Sequence, residues 1–265
     1  MASRVEPRFS ETGKSLLMLG GALGGALVIL QALVDRGVIT STFIPGPSEV
    51  MTSVPSAVLG SLGPLEETLG TILIAFLASV AVGIPVGLAM GSMGRVGSVG
   101  STYVSVLLST PKIIFLPMMI LWLGLGLLTT VTFTMLEASL PIMLLLAGAV
   151  RDFDRNAIRT ARSLGASSSF QLQTKVVLPA MAPTIFSAAR IGFLFSTVGV
   201  LVSQMFIGFG GIGSVLADDA YDLRIAQLYA TALFLAAVVV MILLAMSLVF
   251  HRVFGKWQTP LPRGA

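Results

Sequence analysis

The sequence predicts an all-α polytopic membrane protein with six transmembrane helices, and three observations carry that prediction. Hydrophobic residues make up 55% of the 265-residue chain and charged residues only 11%, less than half the roughly 25% usual in a soluble domain. Mean hydropathy is +0.96, more apolar surface than a soluble fold can hide. The apolar residues also fall into runs of about 20, the length that crosses a hydrocarbon core roughly 30 Å thick.

The first span is read at 15–34, after Arg4, Arg8 and Lys14. Its length and the lack of a small-x-small cleavage site favour a retained span over a signal peptide. The second, 68–90, lies in an uncharged run between Glu67 and Arg95. The third and fourth, 101–121 and 128–150, are joined through the turn-like WLGLGLL. The fifth and sixth are 184–206 and 228–250.

Six spans put both termini on one side. With that side cytoplasmic, it holds Arg4, Arg8, Lys14, Arg95, Arg151, Arg155, Arg159, Arg162, Lys175, Arg252, Lys256 and Arg263, against only Arg36 and Arg224 outside. The positive-inside rule therefore predicts cytoplasmic termini. The outer loops carry Asp35, Glu49, Glu66, Glu67, Asp218, Asp219 and Asp222 instead. Arg190, a turn into the fifth span, can snorkel to the inner interface.

Several chemistries are excluded. Cysteine is absent and His251 is the only histidine, so no disulfide, thiolate metal site or histidine cluster is available. Asn156 is the only asparagine and is followed by Ala-Ile, so there is no glycosylation sequon. No nucleophile, base and metal set for a membrane-embedded enzyme emerges. The isoelectric point near 9.9 reflects charges at the bilayer surface rather than nucleic-acid binding.

Residues 151–183 form a long polar stretch between apolar runs, and such loops inside compact domains are usually functional. Its pattern reads helix, break, helix. RNAIRTARSLGA ends at Gly165, SSSFQLQTKVV resumes after a serine cap, and Leu178-Pro179 ends the second helix.

GFGGIG, 208–213, fits the G-x-G-x-x-G string of dinucleotide sites but follows a membrane span rather than a strand, so it reads as a flexible turn into an interfacial helix. No G-x-x-x-x-G-K-[ST] phosphate cradle occurs. GGALGG at 20–25 and GIPVG at 83–87 carry the small-residue spacing that lets helices approach closely, within the chain or between protomers. The segment VLADDAYDLRIAQLY reads as an amphipathic, acidic interfacial stretch, with Asp218, Asp219 and Asp222 as docking candidates.

The sharpest signal is Lys112 with Glu137, opposite charges near the middle of the third and fourth spans. A charge at that depth costs about 2.5–3.5 kcal/mol on insertion scales and needs a partner or a wet cavity. They form either a buried ion pair fixing helix register or a pathway in which Lys112 meets an anionic substrate and Glu137 neutralises it between cycles. Pro111 and Pro117 free backbone carbonyls there, so Ser109, Thr110 and Pro111 join the candidate pathway.

The stretch RTARSLGASSSFQLQTKVVLP resembles the EAA loop of ABC-importer permeases. Ala161 matches its second alanine, Gly165 its glycine and Leu178-Pro179 its Leu-Pro. Arg159 stands where the family usually has Glu, Thr160 replaces the first alanine, and Gly165 to Pro179 is one residue longer than the common spacing. FIPGPSEVMTSV, GIPVGLAMG, STPKIIFLPMMILWLGLG and GFGGIGSVLADDA resemble, in the same order, motifs of the sulfonate/taurine/nitrate-type permeases.

The resemblance implies a single permease domain over 1–265 with type I ABC-importer architecture, in the inner membrane of a bacterial cell. It implies a homodimer with two ATPase subunits and an external substrate-binding protein, with ATP and Mg on the ATPase and no cofactor in this chain. The loop 151–183 would be the coupling element, through Arg159, Ala161, Arg162, Ser163, Leu164, Gly165, Ala166, Ser167, Leu178 and Pro179. The implied cargo is a small organic or inorganic anion. A solitary ion-coupled carrier or channel, with Lys112 and Glu137 as a proton relay, stays open beside it, although no inverted repeat is visible.

Overall fold

The computed structural model describes residues 9–40, 43–153, 159–160, 162–163, 165, 175 and 177–254. Those residues form helices and connecting turns. The helices are α1 (Phe9–Asp35), α2 (Pro47–Ser92), α3 (Gly94–Ser109), α4 (Leu116–Leu123), α5 (Leu127–Arg151), α6 (Leu178–Ala180), α7 (Ala182–Ile207), α8 (Gly211–Tyr221) and α9 (Ile225–Phe254). A single 3-10 turn, Lys112–Phe115, leads into α4.

Four helices are long and apolar enough to cross a membrane: Pro47–Ser92, Leu127–Arg151, Ala182–Ile207 and the Ile225–Phe250 part of α9. In α1 the apolar part is the shorter stretch Gly20–Asp35. The predicted spans 15–34, 68–90, 128–150, 184–206 and 228–250 each lie within one continuous helix.

The third span does not. Gly94–Ser109 and Lys112–Leu123 meet at a bend of 83°, so the continuous helix predicted over 101–121 is corrected to a broken one. Pro111 lacks the N–H that the Leu107 carbonyl would accept from in an unbroken helix, and Thr110 before it takes the extended backbone that proline favours (φ −80°, ψ 136°).

Helix α2 begins twenty-one residues before the predicted second span, so Glu49, Glu66 and Glu67 lie in a helix rather than a loop. Pro47 occupies its first turn, where a missing N–H is harmless, and Glu49 adds a carboxylate at the positive helix end. At 1.5 Å per residue this helix exceeds twice the roughly 30 Å core. Its charge-free part after Glu67 is the part suited to hydrocarbon.

The chain divides into two compact units, 1–60 with 218–234 and 61–217 with 235–265. In the first, Gln31 of α1 accepts the Ser48 N–H at 3.0 Å, satisfying one orphan donor at the start of α2, and donates to Asp35 at 2.8 Å. Val50, Ala57 and Ala230 form its apolar centre, and the Ser56 hydroxyl donates to Gln227 at 3.2 Å.

The second unit has two apolar clusters. Ile72, Ala75, Phe193 and Val200 form one, with Phe76 meeting Phe193 edge-on at 5.9 Å; Ile142, Leu146, Met181 and Ala188 form the other. Glycines allow the close approach. A Cβ at Gly83 would lie 2.9 Å from Ile142, and one at Gly87 would lie 2.9 Å from the Met143 carbonyl oxygen, so GIPVG packs α2 onto α5. The glycines of GGALGG, by contrast, have nothing of this chain within 4 Å of such a position.

Candidate functional site: the helix break, the loop and the acidic corner

At the end of α3 the last carbonyls lose their helical partners and are met by other groups. The Ser109 hydroxyl donates to the Ser105 carbonyl at 3.0 Å and the Thr110 hydroxyl to Val106 at 2.9 Å. The Thr110 backbone N–H turns back to Leu107 at 3.2 Å. Lys112 Nζ donates to the Leu108 carbonyl at 3.2 Å. A helix C-terminus carries partial negative charge, so an ammonium is the favourable cap there.

The same ammonium lies 3.4 Å from Glu137 Oε2 of α5, with the Lys112 side chain 6% exposed and that of Glu137 19%. The structure therefore brings the two predicted charges together. It places Lys112 at the break rather than in mid-helix, where a wound backbone would have left it no free carbonyl. Ser109 and Pro111 are exposed beside the pair and Thr110 is half-buried.

Of the predicted coupling residues, Arg159, Arg162, Ser163, Gly165, Leu178 and Pro179 are described and exposed, while Ala161, Leu164, Ala166 and Ser167 lie outside the described residues. Arg159 and Thr160, then Arg162 and Ser163, are helical. Gly165 is a turn residue with φ +97°, its N–H reaching the Arg162 carbonyl at 3.1 Å; a side chain is strained at that φ. Of the predicted second helix only Lys175 and Val177 are described, both helical, and Leu178–Ala180 form the short α6 that leads through Met181 into α7. Pro179 sits in a first turn, where it costs no hydrogen bond.

The acidic segment is not one amphipathic helix. It breaks at Leu223, whose φ is +56°. The Leu223 N–H bonds to the Ala220 carbonyl at 3.3 Å and the Arg224 N–H to the Asp219 carbonyl at 2.8 Å, a Schellman closure with leucine in the place glycine usually fills. Arg224 pairs with Asp219 at 3.0 Å and Asp222 at 3.1 Å. Asp219 is 3% exposed, so its carboxylate faces the corner, whereas Asp218 and Asp222 are on the surface. Burial pushes the Asp219 carboxyl above its ordinary 3.8; Arg224 opposes this, and Asp218 and Asp222 add to it.

Three residues escaped the sequence reading. Glu67 accepts the Gly211 N–H at 3.0 Å, Thr68 accepts the Ile212 N–H at 2.8 Å, and Gln204 Oε1 accepts the Gly213 N–H at 3.2 Å. These are the first free amides of α8. A dinucleotide phosphate would need those donors, and the chain has satisfied them itself, so GFGGIG is a capped helix start. The only available signal was Glu67-Thr68 preceding an apolar run. Arg151, read only as an inside charge, donates to the Ser101 hydroxyl at 2.7 Å and the Ala147 carbonyl at 3.0 Å, tying α5 to α3. Among the described residues no three His, Asp or Glu side chains group as metal ligands.

The described residues form long apolar helices with a charge-bearing broken span, the makeup of a membrane transport component. The family model described as "Binding-protein-dependent transport system inner membrane component" matches residues 79–257, and the chain belongs to that family: it is an inner-membrane permease subunit of an ABC importer. It is 26% identical over 236 residues to the taurine transport system permease protein of Escherichia coli, covering 86% of this chain and 83% of the relative. A Bacillus subtilis permease named for aliphatic sulfonates transport is 22% identical over 214 residues, 80% of this chain and 77% of that one. The glycine betaine/proline betaine transport system permease protein of E. coli is 26% identical over 170 residues, covering 63% and 48%.

Proposed function

We propose that this permease imports a small organic anion of the sulfonate class, as a homodimer with two separate ATPase subunits and an external binding protein. The observation that carries the cargo class is the similarity to permeases named for taurine and aliphatic sulfonates over more than three quarters of each chain. The absence of a phosphate cradle from the sequence supports placing ATP and Mg on separate ATPase subunits.

Both termini lie in the cytoplasm, where the basic residues concentrate. The exposed Arg159, Arg162, Ser163 and Gly165 belong to the element that docks on the ATPase, together with Ala161, Leu164, Ala166, Ser167, Leu178 and Pro179. ATP-driven closure of the ATPases draws the two loops together and opens the path outward; hydrolysis resets it. The path passes the break in the third span, with exposed Ser109 and Pro111, half-buried Thr110, and the paired Lys112 and Glu137. The binding protein docks on the side of Asp218 and Asp222.

The test is a mild-detergent pulldown of the tagged chain from its own membranes, with mass spectrometry of co-purifying chains and retained small molecules. An ATPase that is lost on deleting Ser163 to Ser169, and a binding protein carrying a sulfonate, are the expected results. A chain that purifies without any ATPase overturns the assembly, and a binding protein carrying only a neutral compound overturns the cargo class.

A further inference from the structure

We propose that Lys112 is a positioning residue: a tethered cap on the C-terminus of α3, held by Glu137 of α5, that sets the angle at which the third span breaks. The inference concerns the shape of the path and stands whether or not the cargo is an anion.

Three observations carry it. Pro111 removes one backbone donor and the turn that follows redirects others, so α3 ends with carbonyls that hydrocarbon cannot solvate. The Ser105 and Val106 carbonyls accept from the Ser109 and Thr110 hydroxyls, and the Leu108 carbonyl accepts from Lys112 Nζ at 3.2 Å. The ammonium is buried against two acceptors, the Leu108 carbonyl and Glu137 Oε2 at 3.4 Å, a geometry that engages it with the protein rather than presenting it to a passing solute. Lys112 also opens the 3-10 turn that launches α4, so its backbone belongs to one arm of the bend and its ammonium holds the other.

An ion pair that merely fixed register between α3 and α5 would lose as much from Glu137 as from Lys112. A cap loses more from Lys112, because Gln at 137 still offers the ammonium an oxygen while nothing replaces the donor to Leu108. The chain has no native cysteine, so spin labels can be placed without background. Labels at Tyr103 of α3 and Leu121 of α4, 70% and 84% exposed, report the bend by pulsed electron–electron resonance. Labels at Leu128 and Val198, 61% and 56% exposed, report whether α5 and α7 remain packed. The labelled chain is diluted with unlabelled chain, in nanodiscs with the subunits that co-purify.

With the α5–α7 distance unchanged, Lys112→Met is expected to broaden and shift the Tyr103–Leu121 distribution. Glu137→Gln should change it less, and Lys112→Arg should keep the wild-type distribution. A wild-type distribution in Lys112→Met overturns the proposal. So does a Glu137→Gln change as large as that of Lys112→Met, or a Lys112→Arg distribution as broad as it. If Lys112→Met fails to fold, Lys112→Met with Glu137→Leu, which leaves no orphaned charge, carries the test: a shifted bend supports the cap and a wild-type bend overturns it.

Discussion

Thr68 donates its hydroxyl to Gln204 Oε1 at 3.0 Å while accepting the Ile212 N–H at 2.8 Å. Both side chains are buried, at 0% and 3% exposure, and Gln204 Oε1 also accepts the Gly213 N–H. One side-chain pair thus joins α2, α7 and the start of α8. Gln204→Leu strands the Thr68 hydroxyl and the Gly213 amide, and is expected to cost about 2–4 kcal/mol. Thr68→Val should cost about 1–3 kcal/mol, and Glu67→Gln, exposed and still an acceptor, less than either. Thermal unfolding of the detergent-solubilised chain measures the order.

Gly97 of α3 sits where a Cβ would come within 1.8 Å of the Met90 carbonyl oxygen, whereas one at Gly100 would be no nearer than 3.8 Å to any atom of Met90. A backbone oxygen cannot swing aside as a side chain can. Gly97→Ala is therefore expected to cost about 3 kcal/mol or more or to abolish folded protein, and Gly100→Ala to be tolerated. Yield of monodisperse chain and its unfolding midpoint separate the two.

At the α8–α9 corner, burial raises the Asp219 carboxyl above its ordinary 3.8. The folded state then binds that proton more tightly than the unfolded chain does. The resulting stabilisation is full below the unfolded value and is lost as pH rises through the folded one. Lowering the pH across that window should therefore raise the unfolding midpoint of this corner relative to Asp219→Asn, which cannot titrate yet keeps an oxygen for Arg224. Midpoints that run parallel for the two chains would refute the coupling.

Leu223 closes the same corner in a left-handed backbone with φ +56°. Leucine carries a steric cost there of roughly 1–2 kcal/mol that glycine does not. Leu223→Gly recovers part of it, against the extra freedom of glycine in the unfolded chain, so it is expected to be neutral to stabilising. Leu223→Val, β-branched, should destabilise. Hydrogen exchange at the Arg224 amide reads the difference locally.

Thr134 and Ser196 are both fully buried at 0% exposure, and their hydroxyl oxygens have no hydrogen-bond partner. A buried polar group without a partner costs about 1–3 kcal/mol on mutational scales. Thr134→Val and Ser196→Ala should accordingly leave the unfolding midpoint unchanged or raise it, unlike Thr68→Val, where both hydrogen bonds are made.

Much of the fold was legible because hydropathy run length is a local property. Residues 128–150, 184–206 and 228–250 are apolar whatever surrounds them, and each lies in one helix. Charge contrast likewise flagged Lys112 and Glu137 before any distance was known. The break at Pro111 was only half legible: the proline announced freed carbonyls, while the 83° bend depends on what caps them. The early start of α2 was hidden by Glu49, Glu66 and Glu67, which read as loop although the helix passes through them.

By itself, the sequence determined that the chain is suited to a bilayer, where the continuous apolar helices over 128–150, 184–206 and 228–250 lie, and which motifs ally it with importer permeases. These follow from composition, run length and short strings, which are properties of neighbouring residues. Only the tertiary structure decided that Lys112 caps Leu108 while facing Glu137, that Asp219 turns inward to Arg224, and that Glu67 and Thr68 occupy amides 144 residues away. Such pairings arise because a buried carbonyl, amide or charge must find a partner wherever the folded chain supplies one, and that choice leaves no periodic trace along the sequence.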